Sequence, residues 1–362
     1  MDTLTEISPR CMISERVAPT QYDHEWVKGC ASEQKYVDDS KLNFFHYPEW
    51  VKCLEESYHY KAFTLLQKKG VNSTAHIPLV EVNSWISGKR GISLPYTDFC
   101  PPMCENQSSF DAAFKEIIRF GLERKWRYIE LRDSGDYLAQ HPSSTQFHSH
   151  KLELLRNEDD QFNNLASSTR RAIRKAEKSG LEISVSRKLT DLNAFYKLQC
   201  MTRKRHGLPA QPYTFFKNIH HNILETNKGV VFLAKLNGTA AAGALFLNNE
   251  KKTIYKFGAS DINIQATRAN NFVMWEAIKW HINRGFNELH FGRSSLAHKG
   301  LRAYKLRWGA KEGSINYYRY NLKTRKFTVH KDAVSGWYNA FFSHLPIPFS
   351  QYISKLIYRH AA

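Results

Sequence analysis

The stretch 270–309 constrains this chain more than any other. It reads NNFVMWEAIKWHINRGFNELHFGRSSLAHKGLRAYKLRWG. Phe272, Trp275, Ile278 and Ile282 recur at three- and four-residue steps, the pattern of one buried helix face. Asn270 and Asn271 are good N-cap residues and Gly285 is a good stop, so a helix is expected over 271–284. Leu289 and Phe291 then alternate with Glu288 and His290, which predicts a short half-buried strand ending at Gly292-Arg293. A basic loop with His298, Lys299 and Arg302 is expected next. It delivers Lys305 beside Tyr304 and Trp308. That arrangement fits a site for an anionic, carbonyl-bearing substrate; the plainer alternative is a solvated lysine at a strand entrance.

A chain of 362 residues is comfortable as two domains. With 42% apolar and 13% aromatic residues it has enough material for full cores. No apolar run reaches the ~20 residues of a spanning helix. The opening MDTLTEISPRCMISERVAPT carries acids and no continuous apolar region, unlike a signal peptide. Only Cys100 and Cys104 are closely spaced, and no second pair completes a zinc set. Free thiols in a reducing cytoplasm, and no metal, are therefore expected.

The charge is unevenly placed. Residues 1–150 hold 17 Lys+Arg against 20 Asp+Glu, a net of −3, whereas residues 151–362 hold 35 against 14, a net of +21. The second half seeks anions: RNA, a phosphorylated cofactor, a phospho-sugar lipid or an anionic membrane.

Along the chain, an irregular lead is expected over 1–40, a first α/β unit over 41–150, a second over 151–333 and a basic-aromatic tail over 334–362. In the first unit, helices are predicted at 43–60 and 110–123, and strands at 61–66, 75–82, 91–96 and 127–132. The polar stretch 133–152 reads as a passage between units. A basic helix follows at 164–179, then a strand at 181–185 and helices at 192–205 and 212–224. A strand meander comes next over 230–236, 240–247 and 253–258. Strands at 314–320 and 326–330 are expected to close the sheet. The pairing of helix and Arg-terminated strand near 110–132 is echoed near 271–293, as in two related units.

Several of these segments resemble one family. Ser168-Thr-Arg-Arg-Ala-Ile-Arg-Lys-Ala-Glu-Lys-Ser-Gly180 is similar to the basic helix that opens the second half of Fem-type aminoacyltransferases, which build peptidoglycan cross-bridges. Phe291-Gly-Arg-Ser294, Tyr304-Lys-Leu-Arg-Trp-Gly309, Met201-Thr-Arg-Lys-Arg-His-Gly-Leu-Pro209 and Leu345-Pro-Ile-Pro348 resemble Fem-like proteins of exopolysaccharide and exosortase systems, with a BioF2-like acetyltransferase domain. Ile92-Ser-Leu-Pro-Tyr96 resembles the matching segment of the first unit. The resemblance covers about 43–350 of the chain. It implies an α/β (α+β) fold of two tandem GNAT-like (acyl-CoA N-acyltransferase) domains, each a mixed sheet flanked by helices.

By that resemblance Lys305, with Tyr304 in place of the family's phenylalanine, steadies the oxyanion of acyl transfer. Gln265-Ala-Thr-Arg268-Ala-Asn270 stands where GNAT folds hold the pyrophosphate of coenzyme A, with Arg268 and Asn270 replacing glycines. Asn271 follows at the helix start. Arg293 is a candidate to grip a carboxylate or phosphate. Arg203 is a candidate for donor or acceptor binding, and Tyr213, Tyr255 and Trp308 for lining the pocket. Each has a structural alternative: dipole complementation, ion pairing or plain core. Arg170, Arg171, Arg174 and Lys175 on the basic helix suit RNA or a diphosphate, or simply a solvated face.

The resemblance implies N-acyl transfer from aminoacyl-tRNA or acyl-CoA to an amine of a cell-envelope glycan, peptidoglycan-type or exopolysaccharide precursor, without a metal. Two other readings stay open: a plain acyl-CoA-dependent acetyltransferase of a small amine, and a non-catalytic module for RNA or anionic lipid. A cytoplasmic location is expected. The tail suits either a packed terminal helix or peripheral contact with the inner membrane face.

Overall fold

Two runs of one topology make up most of the computed structural model, which describes residues 22–30, 42–85, 87–329 and 342–360. In the first run, β2 (Lys61–Lys69), β3 (Asn72–Ser84) and β4 (Gly88–Ile92) form an antiparallel meander. Helix α2 (Gln107–Glu123) crosses over, and β6 (Tyr128–Arg132) returns parallel to β4. In the second run, β9 (Gly229–Leu236), β10 (Thr239–Asn249) and β11 (Lys252–Ser260) form the meander. Helix α7 (Ala269–Ile282) crosses over and β12 (Glu288–Ser295) returns parallel to β11. A parallel pair requires such a crossover, so both helices are obligatory parts of the plan.

The two runs exchange strands. After β6 the chain forms β7 (Thr145–Glu153), which pairs not with the first run but with β12. After β12 it forms β13 (Lys311–Asn321), which pairs with β7 over Lys311–Tyr317 and with β6 over Tyr317–Asn321. One continuous sheet results, in the order β1-β2-β3-β4-β6-β13-β7-β12-β11-β10-β9-β8. Here β1 is Asp23–Lys28 and β8 is Leu181–Ser186; the short β5 (Met103–Cys104) and β14 (Lys326–Thr328) pair with β3 and β13.

This corrects four expectations. The polar stretch 133–152 is not a passage but contains a strand at the centre of the sheet. Its polar residues are satisfied by neighbours there: Ser149 Oγ lies 3.0 Å from His290 Nε2, and His150 Nε2 lies 3.1 Å from Glu312. The lead holds a strand, β1, and the rest of 1–21 and 31–40 lies outside the described residues. Strand β13 lies at the centre of the sheet rather than closing it, and His330 lies outside the described residues. The basic loop is helix α8 (Lys299–Leu306), so Lys305 stands in the last turn of a helix.

Helices α1 (Pro48–Tyr58), α5 (Leu189–Arg205) and α6 (Tyr213–Ile219) cover one face of the sheet, and α6 runs on into a π-type turn at His220–Leu224. The short α3 (Glu158–Asn163) precedes α4 (Ser167–Glu177), which covers the other face with α7. Strand β10 serves both: Leu245 and Leu247 enter the first core, Ala244 and Phe246 the second. Trp50 and Phe45 of the first run share the first core with Phe215 and Phe216 of the second. Helix α7 buries Phe272, Val273, Met274, Trp275, Ala277 and Ile278, so it is apolar nearly all round, as a core helix is. Helix α9 (Ile347–Ile357) is the last helix of the described chain.

Four histidines are sealed in these cores. Burial lowers His46 and His281 to about 4, and His76 and His290 to about 3. Below the ordinary value of 6.5 the unfolded chain binds protons that the folded chain refuses. Stability therefore falls as pH is lowered from 6.5 to about 4, by about 1.4 kcal/mol per pH unit for each fully neutral histidine. Thermal midpoints measured between pH 7 and pH 4 are expected to drop steeply (window from). A flat profile there would show that these rings take up protons in place.

Candidate active site

Lys305 is 2% exposed. Its ammonium donates to the carbonyl of Gly292 at 3.0 Å and to that of Arg293 at 3.2 Å. Both carbonyls belong to a bulge in β12: pairing with β7 jumps from His290↔Lys151 to Arg293↔Ser149, leaving one extra residue on β12. Gly292 takes φ +67 at the bulge, and a Cβ there would sit 3.5 Å from the Asp98 carboxyl. Gly292 N–H donates to His290 Nδ1 at 2.9 Å. The bulge turns two carbonyls onto one lysine, so the ammonium is held by backbone.

Asp98 comes from the first run. It follows the segment Ser93–Tyr96, in which Leu94 and Tyr96 adopt φ +61 and +58. Non-glycine residues in that region cost about 1 kcal/mol each and need outside support. The support is dense. Trp50 Nε1 donates to Thr97 Oγ1 at 2.8 Å, Lys256 Nζ to the Tyr96 carbonyl at 2.8 Å, and the Tyr317 hydroxyl to the Asp98 carbonyl at 2.8 Å.

Around the Asp98 carboxylate stand three cations. Lys256 is 2.9 Å away, Arg293 is 3.9 Å away, and Lys305 is close enough to feel its charge. Burial pushes the Asp98 carboxyl up, but Lys256, then Arg293, then Lys305 outweigh it and hold the group below its ordinary value. Burial lowers Lys305 to about 8 and also lowers Lys256, with Asp98 opposing both shifts. Nearby Arg132 has its own partner, Glu130, at 3.0 Å. One carboxylate thus faces three cations at a place where both runs meet, and the surplus positive charge suits an anion or a developing oxyanion. A cavity of about 630 Å³ is lined by Phe99, the residue after Asp98, and by His290, whose rings lie 4.3 Å apart; the four charged groups themselves do not line it.

Strands β11 and β12 pair only over Lys252–Ile254 and Glu288–His290, then part. Tyr255 stands at the parting. Its hydroxyl lies where a Cβ on Gly258 would fall, and its ring meets Phe291 edge-on at 6.2 Å. Beyond β11, Ile262–Thr267 form a 3₁₀ turn and Arg268 takes φ +62, the left-handed conformation that a glycine gives freely. The chain therefore makes the tight turn into α7 with an arginine. Gln265, Arg268 and Asn270 are exposed beside the opening N–H groups of α7, Asn271 is half-buried, and Asn270 Nδ2 donates to Ser260 Oγ at 3.1 Å.

The remaining candidates lie elsewhere. Tyr304 and Trp308 pack into the second core with rings 6.1 Å apart, and burial pushes the Tyr304 hydroxyl far up. Arg203 donates to the Pro209 carbonyl at 3.1 Å and to the Tyr358 hydroxyl at 3.2 Å, and Tyr213 donates to Asn193 at 2.7 Å. Both sit on the face covered by α5 and α6, where these partners give them structural employment. Arg171, Arg174 and Lys175 are exposed on α4 and Arg170 is half-buried. The start of α4 touches α8, through Ala166 N–H and Thr169 Oγ1 on the Arg307 carbonyl. The start of α4 thus adjoins the end of the helix that carries Lys305.

Asp98, Lys256 and Tyr317 were not singled out by sequence, and His290 and Gly292 entered only as part of a strand and of the motif Phe291-Gly-Arg-Ser294, without a role of their own. For Asp98 the signal was Ile92-Ser-Leu-Pro-Tyr96, which points at the right loop and stops two residues short of it. Among the described residues, no group of three or more His, Cys, Asp and Glu side chains could hold a metal ion, and no helix is long and apolar enough to cross a membrane.

Residues 163–305 match a family described as an acetyltransferase (GNAT) domain. No curated protein matches the sequence significantly. FemX shares the fold at a TM-score of 0.60 and 14% identity, covering 75% of this chain and 90% of FemX. The C-terminal domain (DUF2156) of a protein described as a lysylphosphatidylglycerol synthetase from Agrobacterium fabrum matches at 0.50 and 11%, covering 76% of this chain and 86% of that one. By sequence over 163–305 the protein is similar to an acetyltransferase (GNAT) domain, and over most of its length it shares the fold of FemX.

Proposed function

We propose that the protein is a Fem-like N-acyltransferase that moves an aminoacyl or acyl group from tRNA or coenzyme A to an amine of a cell-envelope glycan or lipid-linked precursor. The observation that carries this reading is the Lys305 ammonium, desolvated, fixed by two carbonyls and set among surplus positive charge. The acceptor amine attacks the ester or thioester carbonyl and a C–N bond forms. The carbonyl oxygen becomes an oxyanion, which Lys305 steadies. The C–O or C–S bond then breaks, and the leaving hydroxyl or thiol takes the proton that the amine gives up. Arg293, half exposed beside this point, grips an anionic group of the substrate. Gln265, Arg268, Asn270 and Asn271 take donor phosphate at the start of α7. The cavity beside Phe99 and His290 gives the acceptor room.

The choice of donor is tested on α4. If the donor is tRNA, replacing Arg171, Arg174 and Lys175 by alanine weakens RNA binding and flattens its log-log salt dependence by about two. Native mass spectrometry of protein from its host then finds a ribonuclease-sensitive mass of tRNA size. If the donor is an acyl-CoA, the same variant transfers at the wild-type rate and a coenzyme A thioester co-purifies. The left-handed Arg268 at the start of α7 favours keeping this second donor in view. Finding neither mass, with no transfer from either donor class, contradicts acyl transfer altogether.

A further inference from the structure

Helix α9 presents apolar residues on its outer edge as well as to the core. Ser350 and Ser354 are 7% and 0% exposed, while Phe349, Tyr352 and Leu356 are 65%, 70% and 58% exposed. The buried serines, with Tyr358, follow one another at four-residue steps along the inner edge, and the apolar residues run along the outer edge. A helix whose only role is to pack on its own domain keeps its outer edge polar.

The inner edge is firmly held, so the apolar edge is not waiting for a place in this chain's core. Gln351 Nε2 donates to Cys200 Sγ at 3.4 Å, and the Tyr358 hydroxyl donates to the Pro209 carbonyl at 2.9 Å. The Tyr358 carbonyl accepts from Tyr60 at 3.1 Å and also from Tyr96. Arg90 donates to the His360 carbonyl at 2.9 Å. From the first run, Trp85 stands 84% exposed with its ring 6.1 Å from that of His360, extending the apolar patch.

The charge says what covers the patch. Residues 342–360 contain Lys355 and Arg359 and no acid, and residues 151–362 carry the net +21. A second copy of this chain would set these cations face to face with no carboxylate on the helix to meet them. A surface that is apolar just below a layer of negative charge satisfies both features, and exposed tryptophan and tyrosine suit its boundary. We propose that α9 and Trp85 form a docking face for an anionic lipid bilayer. The face is wired to the candidate active site, because the Tyr96 whose hydroxyl meets α9 offers its carbonyl to Lys256, the partner of Asp98. The proposal does not depend on Lys305 being catalytic.

The test is co-sedimentation of the full chain with vesicles of phosphatidylcholine alone or mixed with phosphatidylglycerol. Wild type is expected to pellet with the mixed vesicles at low salt and to be released by high salt. Tyr352→Glu with Leu356→Glu is expected to weaken that partition about tenfold or more, with an unchanged thermal midpoint, since both side chains are exposed. Lys355→Glu with Arg359→Glu is expected to weaken it on mixed vesicles only. No pelleting with phosphatidylglycerol overturns the proposal, and so does equal pelleting of the Tyr352→Glu/Leu356→Glu variant. A wild-type dimer that dissociates in that variant, without vesicle binding, assigns the face to a second copy and overturns it too.

Discussion

Replacing Lys305 by alanine is expected to slow acyl transfer by about 10²–10³-fold, the usual loss of one preorganised oxyanion donor. The loss should fall on turnover rather than on substrate affinity, because the oxyanion exists only in the transition state. The fold should survive. Truncation frees the carbonyls of Gly292 and Arg293, which costs about 1–3 kcal/mol if they stay dry. It also removes a buried ammonium whose desolvation opposed folding, as the fall of its pKa to about 8 records. Lys305→Met keeps more of the volume and should be equally inactive. Matching circular dichroism and urea midpoints would separate lost chemistry from lost structure, and near-wild-type turnover in either variant would remove Lys305 from the mechanism.

The second large effect is expected at Asp98. Asp98→Ala leaves Lys256, Arg293 and Lys305 close together without their shared carboxylate. Breaking a buried ion pair from one side costs about 3–5 kcal/mol, so the urea midpoint should fall sharply. The sign against pH follows from the same cluster. The cations hold the folded carboxyl below its ordinary value, so its contribution is complete above the unfolded pKa and is lost as pH falls through the depressed folded value. The stability gap between wild type and Asp98→Ala should therefore be wide at pH 7 and close in acid (sign from). Inorganic phosphate should raise the midpoint of the variant more than that of wild type, because it answers the surplus positive charge. A variant as stable as wild type at neutral pH would show that the three cations do not depend on Asp98.

Much of this architecture is legible in the amino-acid order, because the cores are written in apolar periodicity. Helix α7 and strand β12 follow from Phe272, Trp275, Ile278, Leu289 and Phe291. Strand β7 does not, because Ser149 and His150 are polar residues whose partners, His290 and Glu312, come from strands far along the chain. Periodicity registers burial and says nothing of a strand borrowed by the other half. Helix α8 was hidden by its charge: Lys299, Arg302 and Lys305 read as a loop when their partners are unknown. Arg302 in fact meets Glu312 at 2.6 Å, and Lys305 meets backbone carbonyls, which carry no letter in a sequence. For the same reason Lys305 and Arg293 are legible in the sequence and Asp98 is not. Its place depends on left-handed turns at Leu94 and Tyr96, residue types that do not announce such a conformation.

The most direct measurement is the single-turnover rate of transfer across pH, taken as the ratio of wild type to Lys305→Ala. The ratio cancels ionisation of the acceptor amine, which both proteins share. With the buried ammonium acting as the cation, the ratio is constant below about pH 7 and falls toward unity above about pH 8, following the lowered pKa of Lys305. A ratio that stays level to pH 10 would mean that the proton on Lys305 plays no part in transfer, and would contradict the account at its centre (range from).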